Sequence, residues 1–178
     1  MLFDFFKKRK KTSEYDTDAT IKKLRKVLTP LLIDPACLKK MGVKDPFADD
    51  AKVTKKLSVE DAVTCLHALK LAVSKVEAFH DALMPMADAV NEEIQTERMD
   101  AVRNRKRMPK ENEFYTISNI LAIFKSSTAG VEVEKPQVEN PKDLPVLFKA
   151  SLLFFRSRAN ITLRFLIIKA TSMGIIIQ

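Results

Sequence analysis

Glycine is nearly missing, with three in 178 residues. All-β chains need turn glycines roughly every ten residues, so sandwiches and barrels are excluded. Tryptophan is absent, and the only cysteines are Cys37 and Cys65. Two thiols cannot build a disulfide framework or, alone, a structural zinc site, and such sparse cysteine fits a reducing compartment. Two histidines, His67 and His80, leave little material for most catalytic schemes. Long hydrophobic runs are missing too. The amino-terminal MLFDFF is short and has its cations after it, so it reads as neither a secretory signal nor a span. The most apolar stretch, 144–178, is cut by Lys149, Arg156, Arg158, Arg164 and Lys169 in every window of about 18 residues that a bilayer helix needs.

No complete motif for chemistry occurs either. Walker A, Rossmann and HExxH patterns are absent, and Asp45, Asp49 and Asp50 lack the glycine and terminal glutamate of a calcium loop. Cys65 and His67, two apart on a helix, point about 200° away from each other and cannot pair locally. Glu77 and His80 match half of a di-iron carboxylate site, but Thr64 stands three before His67 where the second carboxylate is needed. No catalytic residue, cofactor or metal ligand is nominated, and the chain is not expected to be an enzyme.

What remains is rich in helix formers and charge: 46% hydrophobic, 30% charged, net +8. The length is enough for one core. The expected fold is all-α, a small bundle around one long helix of about 58–107, kinked at Pro85. Within it Ala62, Leu66, Leu69, Val73, Val76, His80, Leu83, Ala87, Val90 and Ile94 recur at steps of four and three, a heptad seam of coiled-coil type. Ser58 and Asp61 approximate its capping box. Ile21, Leu24, Leu28 and Leu31 form the stripe of an earlier helix limited by Pro30. Asp34-Pro35 and Gly42 bracket a short helix at 35–41, and Asp45-Pro46 repeats the start signal. A further helix is expected at 110–126.

Four parts follow in order. Residues 1–16 are a basic, apolar-tipped arm, 17–130 the helical domain, 131–145 a proline-rich linker, and 146–178 an apolar, basic carboxy-terminal segment. The last is read as helix to about residue 172, although ITLRFLIIK (161–169) fits a strand about as well, and it is expected to pack on the bundle or on a partner.

Charge is segregated. Residues 1–26, 98–110 and 144–178 each carry +5, and the rest of the chain is acidic. In the arm, Leu2, Phe3, Phe5 and Phe6 precede Lys7, Lys8, Arg9, Lys10 and Lys11. A cation run of this kind is most often merely solvated. Its functional reading is a shallow apolar tip held by cations against an anionic membrane or an acidic partner. In the cluster near 98–110, Arg103, Arg105, Lys106 and Arg107 are candidate phosphate contacts, against a plain role at the negative end of a helix dipole. The carboxy-terminal segment holds more large apolar side chains than one helix face can hide, among them Phe165, Ile168, Ile175, Ile176 and Ile177. The arm and the surplus apolar side chains of the carboxy-terminal segment point to a structural, non-catalytic assembly subunit of a larger complex: virion, secretion or membrane-associated. Its expected partners are other protein subunits, a second copy included, and an anionic membrane surface. The expected place is cytoplasmic or intracellular, peripheral at a membrane or within a virion. A nucleic-acid or ribonucleoprotein accessory role is the alternative.

Overall fold

A computed structural model of the chain describes residues 17–107 and 112–178. Among the described residues there are five α-helices and no strand: α1 (Thr17–Leu32), α2 (Pro35–Met41), α3 (Val59–Arg103), α4 (Ile117–Thr128) and α5 (Leu144–Ser172). The all-α bundle expected from composition is therefore what the chain forms.

Local chemistry sets the element ends. Asp34 accepts from the Ala36 amide at 2.8 Å, Pro35 needs no donor at the first helical position, and Gly42 closes α2 at φ 69°. A Cβ at Gly42 would also sit 2.2 Å from Thr54 Oγ1, so both the left-handed backbone and the close approach require glycine there. Asp45-Pro46 starts no helix. The Asp45 carboxylate instead accepts from the Phe47 amide at 2.9 Å, a side-chain-closed turn that seats Phe47 in the core. Ser58 caps α3 by accepting from the Asp61 amide at 3.1 Å. The helix then runs unbroken to Arg103, not 107, because Asn104 closes it and Arg105 turns to φ 51°. Pro85 lies inside it on the solvent side, where water can satisfy the carbonyl that Pro85 leaves unpaired. The helix expected at 110–126 begins later: Glu113–Tyr115 is a single 3-10 turn, and Thr116 caps α4 by accepting from the Asn119 amide at 3.1 Å.

Paired contacts give the topology. Glu77–Arg158, His80–Thr162, Asp88–Lys169 and Asn91–Lys169 are separated by 81, 82, 81 and 78 positions. A near-constant offset means that α5 runs parallel to α3. In contrast, α4 runs back along α3, since Tyr115 meets Asn91 and Phe124 meets Phe79 edge-on at 5.3 Å. The extended stretch 131–140 continues that return and is tied where His67 Nε2 donates to the Val133 carbonyl at 2.9 Å. Extended chain ends sooner than expected, because a 3-10 turn at Pro141–Asp143 leads directly into α5. The segment 146–178 belongs to the same buried cluster as the helices before it, with Phe148, Leu152, Phe155, Leu163 and Leu166 in it.

α3 is buried on two sides rather than along one seam. Cys65, Ala72 and Phe79 are buried beside the heptad positions. At the sixth turn Phe79 fills the core, and His80, a seam position, is half-buried at the α5 border. His80 Nδ1 and Thr162 Oγ1 are hydrogen-bonded at 3.0 Å, and Thr162 Oγ1 also lies 3.3 Å from the Arg158 carbonyl. The histidine is a polar tie between helices. In α1 the buried stripe ends at Leu32, with Leu31 only half-buried, and Ile33 follows it into the core.

Tyr115 is fully buried, donates to Asn91 Oδ1 at 2.6 Å, and Asn91 donates onward to the Lys169 carbonyl at 3.0 Å. Burial pushes the Tyr115 phenol up to about 12. The folded state thus holds this proton more tightly than the unfolded chain, so the contribution is complete below the unfolded value of about 10 and is lost as pH climbs through the folded one. With two tyrosines in the chain, alkaline titration of phenolate absorbance should show a late phase that Tyr115→Phe removes. The same substitution leaves Asn91 short of a donor and should cost about 1 kcal/mol in urea melts at pH 7.

Candidate docking face

α5 carries apolar side chains all round. One side, with Phe148, Leu152, Phe155, Ala159, Leu163, Leu166 and Ala170, is in the core. The opposite side is exposed: Leu147, Phe154, Ile161 and Ile168 follow one another at seven-residue steps, with Val146, Leu153 and Phe165 alongside. Phe154 and Phe165 are each 47% exposed, Ile161 42% and Ile168 57%. Such a stripe on a helix whose other face is already packed is not needed for the chain's own core.

Cations border the stripe. Arg158 stacks over the Phe154 ring, 5.1 Å from its centroid, and reaches Glu77 at 3.9 Å. Lys149 and Arg164 are exposed, and Lys169 bridges to Asp88. On the side facing α3, a groove of about 380 Å³ lies against Leu147 and Phe154, with Leu66, Leu69, Val73 and Pro136 across it.

The sequence-derived contact residues divide three ways. Phe165 and Ile168 stand on the exposed face, Ile176 is exposed on the tail, and Ile175 is half-buried. Ile177 is buried at 4% exposure and serves the chain's own core, because the tail turns at Gly174 (φ 70°) and docks where the Ile117 amide donates to the Gln178 carbonyl at 2.7 Å. Leu2, Phe3, Phe5, Phe6, Lys7, Lys8, Arg9, Lys10 and Lys11 lie outside the described residues. Leu147, Phe154 and Ile161 also belong to the face. Their seven-residue spacing with Ile168 was the available signal, hidden because the buried face of α5 is equally apolar.

The second basic site is separate. Arg103, Arg105, Lys106 and Arg107 are all exposed at the end of α3, beyond Ile94, where Ala101 is the last buried side chain. Elsewhere the chemistry is quiet. Cys65 lies against α2, its Sγ donating to the Cys37 carbonyl at 3.8 Å, and burial pushes its thiol up to about 12 and the Cys37 thiol upward as well. Both thiols stay protonated at neutral pH. Among the described residues no group of three or more His, Cys, Asp and Glu could hold a metal ion, and no helix is long and apolar enough to cross a membrane. No family model, curated protein or solved structure matches the chain.

The two faces of α5 should respond oppositely to substitution. Phe155→Ala, at 0% exposure, should cost about 3–5 kcal/mol of stability. Ile161→Ser and Ile168→Ser should each stay within about 0.5 kcal/mol of the parent in urea melts.

Proposed function

We propose that this chain is a non-catalytic subunit of a larger assembly, of virion, secretion or membrane-associated kind, that docks on its neighbour through the outward face of α5. The amino-terminal arm is its second contact. One observation carries the reading: α5 is apolar on the side away from the core as well as on the side within it. A buried face needs no such complement outside, and a patch of this kind marks an interaction surface. In native sizing of the chain from its own source, it should run well above its 20.2 kDa monomer mass. Phe154→Ser combined with Ile161→Ser should release it from that assembly with helicity and melting unchanged. A parent chain that is already monomeric in its source overturns the reading.

The exposed cluster Arg103, Arg105, Lys106 and Arg107 supports a second reading, as a phosphate-binding accessory of nucleic acid. Changing all four to Ser should then abolish RNA or DNA binding, and parent binding should fall steeply with salt. A parent chain without affinity at low salt eliminates it. This reading gives the apolar face of α5 no task, and so it stands second.

A further inference from the structure

We infer that the neighbour met by the outward face of α5 is the headgroup region of an anionic lipid bilayer; this rests on that face being the docking surface proposed above. The argument is the order of residue types around the helix. At 100° per residue, Leu153, Val146, Ile168, Ile161, Phe154 and Phe165 fall within an arc of about 120°. Lys149 lies just beyond one edge and Arg158 just beyond the other, and Arg164 stands within the arc on a stem long enough to carry its charge outward. An apolar centre with cations at both margins fits a helix lying in an interface plane, where the apolar side chains enter the acyl boundary and the cations meet phosphates.

Charge complementarity selects the anionic partner. Residues 144–178 hold five cations and no carboxylate side chain. Carboxylates of packed elements face these cations: Glu77 meets Arg158 at 3.9 Å, Asp88 meets Lys169, Asp49 meets Arg156 at 3.6 Å, and Asp49 and Asp50 line the same pocket as Lys149. Asp81 lines the same small cleft as Arg158 and Ile161. A second copy is a poor occupant. An antiparallel pairing centred on Ile161 would set Arg158 opposite Arg164 of the other copy, and a parallel pairing would set Arg164 against Arg164. Either way like charges meet along the contact.

Co-sedimentation of the full-length chain with vesicles tests the inference. Phosphatidylcholine vesicles with about 30% phosphatidylserine should pellet the protein at low salt, and pure phosphatidylcholine vesicles should pellet far less. Phe154→Ser with Phe165→Ser, and separately Lys149→Ser with Arg164→Ser, should each weaken partitioning about tenfold with melting curves unchanged. The inference fails if the parent ignores phosphatidylserine vesicles, binds both vesicle types equally, or binds as well after the apolar pair is replaced. Native sizing separates the two proposals. A complex lost on changing α5, from a chain that ignores vesicles, makes the neighbour a protein and leaves the subunit role standing. A chain monomeric in its source that still binds phosphatidylserine through α5 removes the subunit role and keeps the lipid contact.

Discussion

The parallel alignment of α5 with α3 is the constraint from which the rest of the architecture follows. Two helices adjacent in a bundle and pointing the same way cannot be joined by a short loop. The chain must travel back along α3 before α5 can begin. From Asn91 to Leu66 that return is about 38 Å at 1.5 Å per residue. The twelve residues of α4 supply about 18 Å of it. The chain is already beside His67 at Val133, so the return is completed soon after α4 ends. Pro136 and the charges of 131–140 keep this stretch from coiling, and Pro141 opens the 3-10 turn before α5.

Apolar contact between α3 and α5 is plentiful but does not by itself fix a register, since burial is non-directional. Polar ties at nearly constant offset do that work. His80 is hydrogen-bonded to Thr162, and Asn91 joins Tyr115 to the Lys169 carbonyl, so that a slide by one turn would strand several part-buried donors and acceptors. The same logic explains why a histidine and an asparagine stand on the most apolar helix border of the chain. Each is satisfied there, and each would be costly anywhere else along it.

How much of this was legible in sequence depends on the range of the interactions involved. α2 was readable to the residue because Asp34, Pro35 and Gly42 act within one turn. The existence of α3 was equally plain from its stripe, but its rotation was not. A seam read at steps of three and four assumes one partner, and α3 has neighbours on two sides, so Phe79 displaced His80 from the core. The start of α4 was missed because a Phe114-Tyr115 pair looks like helix interior, while Thr116 with the Asn119 amide was the real cap. In α5 the β-branched run at 161–169 imitated a strand, since both of its helical faces are apolar and periodicity vanishes. Ile177 looked like partner surface for a related reason: only the turn at Gly174 folds the tail back onto α4.

The outward face of α5 has an energetic consequence within the fold itself. Exposed apolar area gains nothing on folding, at roughly 25 cal/mol per Å² forgone relative to burial. A chain selected only for stability would carry Glu, Lys or Gln at positions 154, 161, 165 and 168, which are also better helix formers than Phe and Ile. Keeping aromatic and β-branched residues there sacrifices intrinsic helix preference along a 29-residue element. Tertiary packing of the opposite face must offset that loss, and the fully buried Phe155, Leu166 and Ala170 provide it. The core side of α5 thus stabilises a helix whose other side adds nothing to the stability of the fold.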